Sequence, residues 1–323
     1  MVLPLSLAIV ISAALAIALG RPLIPALQRF KLGQIIREEG PESHKAKAGT
    51  PSMGGWIILG PALVTTAILT PLTGEVLLLA LTILGYAGVG WLDDYLIVKK
   101  RSNKGLRPRH KLALQFGVAV TFAFGLQWLG HGTSVLVPFT RGGSLWDLGW
   151  CYSPLIVFIL VGTSNAVNLT DGLDGLASGT VAIALGAIAF LLSTYASFPR
   201  LGGVEILVLA MIGGCLGFLW YNSHPAQVFM GDTGSLGLGA AVAGAAIVGR
   251  LELWLVPIGA VFIAETLSVM AQVAYFKRTG GKRLFKMSPL HHHFELSGWK
   301  ETKVVNRFYL AGAFCALLAI ALF

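Results

Sequence analysis

Along this chain, runs of about twenty apolar residues alternate with short segments in which the charge is concentrated. Apolar runs cover approximately 3–20, 53–72, 75–92, 112–130, 152–169, 176–195, 204–221, 234–250, 253–276 and 305–323. Each is near the roughly 20 residues a helix needs to cross a bilayer. The two-residue alternation of barrel strands is absent. The pattern predicts an all-α integral membrane protein of about ten transmembrane helices, forming a single polytopic unit over 1–323. Between the fourth and fifth runs, Ser134-Val-Leu-Val-Pro-Phe, Arg141-Gly-Gly and Ser144-Leu-Trp-Asp-Leu read as a short hairpin. The first run is expected to stay in the membrane, because no basic residue precedes it and Arg21, Arg29 and Lys31 follow it.

Composition agrees with this pattern. The chain is 55% hydrophobic and 12% charged, against about 25% charged residues in soluble domains. Forty glycines suit helices packed closely through small residues. Cys151, Cys215 and Cys315 lie far apart, with neither metal-site spacing nor a disulfide framework. The net charge of +9 is explained by orientation rather than by nucleic acid. With the N-terminus outside, the inside segments 21–52, 93–111, 170–175, 222–233 and 277–304, with Arg307, hold 21 of the 24 lysines and arginines. Only Arg141, Arg200 and Arg250 fall outside, so the positive-inside rule places both termini on the extracytoplasmic face.

The acidic residues share that asymmetry. Asp93, Asp94, Asp171, Asp174 and Asp232 all fall at predicted cytoplasmic helix ends, whereas Asp147 falls outside. Asn165-Ala-Val-Asn-Leu-Thr-Asp-Gly-Leu-Asp-Gly175 spaces Asn165, Asn168, Asp171 and Asp174 three apart, with Gly172 and Gly175 inviting the helix to end near Asp171. Two readings stand: a helix terminus that points acids and amides into a polar cleft, or an ordinary polar loop between spans. Adjacent Asp93 and Asp94 repel unless a cation neutralises them, and hard cations bind through one or two carboxylates plus substrate phosphates. Lysines followed by Gly-Thr-Pro and a glycine pair, in the stretch His44 to Gly55, could cradle phosphate or simply form a basic loop. Phe229 could stack on a ring or anchor the membrane interface. Pro257 predicts a bend in the ninth span, and the intramembrane Glu265 requires a partner or water. His291, His292 and His293 are consecutive, so all three cannot converge on one ion.

Five motifs, in order, carry a family resemblance. Asp93-Asp94, Asn165–Asp174, the Asn222–Asp232 segment and Pro289-Leu-His-His-His-Phe-Glu295 resemble the polyprenyl-phosphate N-acetylhexosamine-1-phosphate transferases. Within that superfamily, the triple histidine together with His44-x-x-Lys47-x-Gly-Thr-Pro-x-Met-Gly-Gly55 is similar to the phospho-N-acetylmuramoyl-pentapeptide transferases. Gly298-Trp-x-Glu301 and Arg307-Phe308 also fit, and Ser52 stands where the family often has threonine. The resemblance implies a Mg²⁺-dependent transfer of phospho-MurNAc-pentapeptide from UDP-MurNAc-pentapeptide to undecaprenyl phosphate, giving lipid I and UMP. It places the multi-pass enzyme in the bacterial inner membrane with a cytoplasmic active site, and it implies a homodimer. Matched by motif, Asp232 is the metal ligand, and Asp93 and Asp94 bind or deprotonate the lipid phosphate or act as nucleophile. His291, His292 and His293 contact diphosphate or sugar phosphate, and Lys47 and Lys111 hold phosphates. Asn168, Asp171, Asp174, Asn222 and Phe229 form the uridine and diphosphate pocket. The alternatives are a sister transferase that uses UDP-GlcNAc and an ion-coupled transporter, whose site would lie near the membrane midplane.

Overall fold

The computed structural model describes residues 2–29, 47, 49–100, 105–138, 144–194 and 202–323. His44, Lys31, Arg101, Lys104, Arg141 and Arg200 lie outside the described residues.

Every predicted apolar run is helical. The helices are α1 (Val2–Arg29), α2 (Trp56–Leu69), α3 (Gly74–Lys100), α4 (Pro108–Trp128), α5 (Tyr152–Thr170), α6 (Leu176–Thr194), α7 (Gly202–Asn222) and α8 (Gly231–Val248). After α8 come α9 (Leu255–Ile258), α10 (Ala260–Arg278), α11 (Leu290–Glu295) and α12 (Glu301–Leu322). Among the described residues, eight of these are long and apolar enough to cross a bilayer, so the chain is a multi-pass integral membrane protein.

Two of the ten predicted spans differ from the eight for local reasons. Helix α2 has only 14 residues, about 21 Å at 1.5 Å per residue. Met53, with φ +69°, and the turn at Gly54-Gly55 delay the helix until Trp56. The segment before it bonds to residues 229–230 instead: Gly54 N–H donates to the Phe229 carbonyl at 2.8 Å, Gly55 N–H to Met230 at 3.0 Å, and Phe229 N–H to Pro51 at 2.8 Å. Helix α4 is long enough, but Arg109, His110, Lys111 and Gln115 make its first half too polar to count. The bend expected at Pro257 is a break two residues later, at Gly259, between α9 and α10.

Helix α8 forms the centre of the bundle. Its stretch is 89% buried against 22% for α10 and 28% for α12. Its glycines and alanines let α3 and α5 lie against it closely. Gly90 of α3 is the tightest approach: a methyl there would sit 2.1 Å from the Asp232 carbonyl oxygen. Helix α3, with 27 residues, is about 40 Å long, more than the roughly 30 Å hydrocarbon layer, so its Asp93–Lys100 end reaches the interface.

At the opposite end lies the expected hairpin. Strand β1 (Ser134–Leu136) pairs antiparallel with β2 (Leu145–Asp147) in the register Val135–Trp146. Leu136 N–H donates to the Arg250 carbonyl at 3.2 Å, and Arg250 Nη2 donates to the His131 carbonyl. Beneath it Tyr152 Oη donates to the buried Glu252 carboxylate at 2.7 Å. Burial pushes the Glu252 carboxyl up to about 7. Burial and the Arg250 charge push His131 down to about 4.

Candidate active site

Four helix ends meet where the sequence concentrates its acids. The C-terminal ends of α3 and α5 bring Asp93, Asp94 and Asp171, while the N-terminal ends of α4 and α8 bring Lys111 and Asp232. Asn168 is near the end of α5, and Asp171 immediately follows it, with its N–H bonded to the Asn168 carbonyl at 3.3 Å. The stretch thus carries a helix terminus at Asp171, where Gly172 and Gly175 suggested one.

Asp94 and Asp93 are adjacent in sequence but differently engaged. Asp94 Oδ1 accepts the Asp232 N–H at 3.1 Å, and Oδ2 accepts the N–H and hydroxyl of Thr233 at 3.0 and 2.6 Å. It caps the N-terminus of α8 from across the helix pair, satisfying amides that no intrahelical carbonyl can reach. Gly231, with φ +69°, begins α8; a side chain there would meet Asp94 Oδ2 at 2.6 Å. Asp93 is also buried, but only Oδ1 takes a backbone hydrogen bond, from Leu106 at 2.7 Å. Its Oδ2 lies 3.8 Å from Lys111 Nζ.

Asp232 is held from two sides. Lys111 Nζ donates to Oδ2, and Asn168 Nδ2 donates to Oδ1 at 2.7 Å and to Ser235 Oγ at 2.8 Å. Asp171 lies within electrostatic reach of Asp232, Asp94 and Asp174. It keeps a partial opening to solvent yet is surrounded by protein on most sides, so burial first, and then those carboxylates, push it up to about 8.

Asp174 belongs to a second ionic cluster alongside. Lys47 Nζ lies 2.7 Å from Asp174 Oδ1 and 2.6 Å from Glu301 Oε1, and His224 Nδ1 lies 2.9 Å from Asp174 Oδ2. Burial works against the Lys47 ammonium, but Asp174 and Glu301 outweigh it and hold its pKa above the ordinary lysine value. Asp174, His224 and Glu301 offer ligand atoms within 4.8 Å of one another, a candidate metal-binding cluster. Lys47 already offsets one of its two carboxylates, and one of its donors is an imidazole. Around Asp232 every anionic donor is a carboxylate oxygen, and the four acids Asp93, Asp94, Asp171 and Asp232 face one bonded lysine, Lys111. That all-oxygen set has the donor chemistry that hard divalent cations take.

The other sequence candidates are more dispersed. Asn222 braces the site: its Oδ1 accepts the Gly175 N–H at 3.0 Å and its Nδ2 donates to the Val228 carbonyl at 2.8 Å. Phe229 is half-buried on the extended strand beside residues 51–54. The three histidines do not converge on one point, although the His291 and His292 rings lie edge to face with centroids 4.2 Å apart. His291 is fully buried against Glu265, His292 Nδ1 lies 2.9 Å from Glu295, and His293 Nδ1 accepts the Lys286 N–H at 3.2 Å. Sequence reasoning assigned no role to His224, Thr233 or Ser235. His224 lies within the Asn222–Asp232 motif and Thr233 and Ser235 just beyond it, but only the fold turns them toward Asp174, Asp94 and Asn168.

Comparison with known proteins gives the family of the chain. Residues 76–250, which include Asp93, Asp94, Lys111, Asn168, Asp171 and Asp232, match the model for glycosyl transferase family 4. A phospho-N-acetylmuramoyl-pentapeptide-transferase of Halalkalibacterium halodurans is 50% identical over 322 residues, covering 98% of this chain and 97% of that protein. The chain belongs to the phospho-N-acetylmuramoyl-pentapeptide-transferase family. Proteins of the same name from Synechococcus sp. and Bacillus subtilis are 52% and 50% identical, covering 90% and 95% of this chain and 84% and 94% of theirs. The chain is thus a membrane-embedded glycosyl-1-phosphate transferase. Family membership also accounts for a carboxylate cluster at one end of the helices rather than at mid-span, where a transporter would bind its cargo.

Proposed function

We propose that the chain transfers phospho-MurNAc-pentapeptide from UDP-MurNAc-pentapeptide to undecaprenyl phosphate, releasing UMP and lipid I. The site would face the cytoplasm from the bacterial inner membrane, with both termini on the opposite side, as the concentration of lysine and arginine supports. The observation that carries this reading is the convergence of Asp93, Asp94, Asp171 and Asp232 with Lys111 at one end of the bundle, in a chain of this family. A soluble nucleotide and a lipid phosphate can meet only at such an interface, and holding them together removes much of the entropic barrier.

Asp232, with Asp171 beside it, would hold Mg²⁺. Bound there, the ion supplies charge neutralisation for the diphosphate. Lys111 would then turn its ammonium from Asp232 to a phosphate oxygen. Asp93 is the acid of the pair with an oxygen free of backbone bonds, so it would take the proton from, or orient, the lipid phosphate. Asp94, occupied in capping α8, would keep Asp232 in place. The attacking phosphate oxygen forms a new bond to the sugar-linked phosphorus, the bridging P–O bond to UMP breaks, and UMP carries away the electron pair. Lys47 and His291 would bind the remaining phosphate oxygens, with Phe229 stacking on uracil and Asn222 bracing its turn. The carboxylates and lysines supply positioning and electrostatics, which phosphoryl transfer chiefly needs.

The test is UMP release by purified protein with Mg²⁺ and undecaprenyl phosphate, using UDP-MurNAc-pentapeptide or UDP-GlcNAc. Release from the muramoyl-pentapeptide donor alone, lost in Asp232→Ala and on chelation, is the expected result. Release from UDP-GlcNAc instead, or from neither donor, overturns the assignment.

A further inference from the structure

Glu265 is the one carboxyl group within the apolar body of α10, a helix that is otherwise largely exposed. The buried positions of α10 are Val261, Phe262, Glu265 and Ser268, the i, i+1, i+4, i+7 stripe of a single helix face. The carboxyl therefore points inward, with no exposure at all. An unpartnered carboxylate at that depth is costly, so its surroundings bear on function.

What it meets is His291. Glu265 Oε1 accepts the His291 N–H at 3.3 Å, and Oε2 lies 3.1 Å from His291 Nδ1. One carboxylate thus engages the backbone and the ring of the same residue. The Nδ1–Oε2 approach is close but not aligned as a hydrogen bond. The other ring nitrogen, Nε2, is buried and takes no hydrogen bond among the described residues. It points at the α5–α6 turn: a methyl on Gly172 would lie 2.1 Å from it. An imidazole nitrogen with unused bonding capacity thus lies against the residue that directly follows Asp171, at a position where only glycine leaves room.

We propose that Glu265 is the positioning residue for His291: it accepts a hydrogen bond from Nδ1–H, fixes the ring's orientation and tautomer, and thereby presents Nε2 to a phosphate oxygen of the nucleotide-sugar substrate. This deepens the reading given under Proposed function and rests on it for the identity of the phosphate. Carboxylates that hold one nitrogen of a functional histidine commonly set which face of the ring does the work. Glutamate is needed rather than glutamine because two donors, the main-chain N–H and Nδ1–H, require two acceptor oxygens. Glutamine offers one oxygen, so its amide group must face one of those donors.

The experiment uses the full-length protein in its wild-type, Glu265→Gln, Glu265→Asp and His291→Gln forms. Samples carry ¹⁵N-histidine, with the His291 resonance identified by its loss in His291→Gln. The expected spectrum shows His291 protonated on Nδ1 in wild type, with that signature lost in Glu265→Gln. The expected kinetics are a fall in kcat of about 10- to 100-fold in Glu265→Gln, with KM for UDP-MurNAc-pentapeptide within about twofold of wild type. Glu265→Asp, which keeps two acceptor oxygens, retains more kcat than Glu265→Gln. A Glu265→Gln protein with unchanged tautomer and kcat within twofold of wild type overturns the proposal. So does a His291→Gln protein with full activity. If wild type itself releases no UMP, the reaction assignment fails, and the tautomer measurement still decides the Glu265–His291 pairing.

Discussion

Gly90→Ala tests whether the α3–α8 crossing sets the geometry of the site. The added methyl would lie 2.1 Å from the Asp232 carbonyl oxygen, 2.3 Å from its carbonyl carbon and 2.6 Å from Thr233 N. All three are backbone atoms of a fully packed helix, so no side-chain rotation relieves the clash. The helices must part by about 1.3 Å to bring the nearest atom to the 3.4 Å edge of ordinary contact. Overpacking of this kind costs about 1–3 kcal/mol. The same displacement strains the bonds from Asp232 N–H and Thr233 N–H to Asp94, one turn further along α3, and losing such a cap costs about 0.5–2 kcal/mol more. Misplacing a reacting group by about 1 Å can cost roughly a hundredfold in rate, and Asp232 moves by about that much. The assay is thermal unfolding in detergent alongside UMP release. Gly88→Ala is the control, since a methyl there meets nothing within 4 Å. The expected result is a Gly90→Ala protein that melts several degrees lower with kcat reduced about 10- to 100-fold, and a Gly88→Ala protein like wild type. Equal melting and equal turnover in the two variants would refute the crossing as the determinant.

Three further outcomes follow from named contacts. Lys47→Met leaves Asp174 and Glu301 without their ammonium; removing one partner of a buried pair costs up to about 3–5 kcal/mol, and adding Glu301→Gln should restore part of the lost melting temperature. Asn168→Ala removes the donor to Asp232 Oδ1 and to Ser235, so turnover should fall at least about tenfold while stability, measured by unfolding, drops by only about 1–3 kcal/mol. Burial raises the Glu252 carboxyl to about 7 in the folded protein, from an ordinary 4.5. The unfolded chain thus releases this proton first as pH rises, and its contribution to stability is full below 4.5 and is lost as pH rises to about 7. Melting temperature measured from pH 4.5 to 8 should therefore fall more steeply in wild type than in Glu252→Gln, and parallel curves would refute the assignment.

The membrane fold was legible because its signal is long. Twenty apolar residues cannot be exposed to water and have few alternatives to a helix, so α1, α3, α5–α8 and α12 follow directly from the sequence. Helix α2 was less legible, because its shortening depends on the backbone ladder with residues 229–230, a partner more than 170 residues away. Likewise, Pro257 signals a disturbance in the ninth span but not its place, which Gly259 decides.

The candidate site divides in the same way. The sequence by itself determined which chemical groups are present and at which end of the bundle they lie, since charge is costly in hydrocarbon and marks helix ends. It could not assign partners. Asp93 and Asp94 are neighbours in the chain and equivalent by composition, yet Asp94 caps α8 while Asp93 keeps an oxygen toward Lys111. Asn168 and Asp174 occur in one motif, yet one holds Asp232 and the other holds Lys47. Three consecutive histidines separate into one facing Glu265, one paired with Glu295 and one accepting the Lys286 N–H. These assignments depend on how α3, α5, α8 and α10 cross, and crossing is fixed by close packing at positions such as Gly90, where a single methyl does not fit. Burial and charge are properties that a chain segment carries with it, whereas a hydrogen-bond partner exists only once two distant segments have packed.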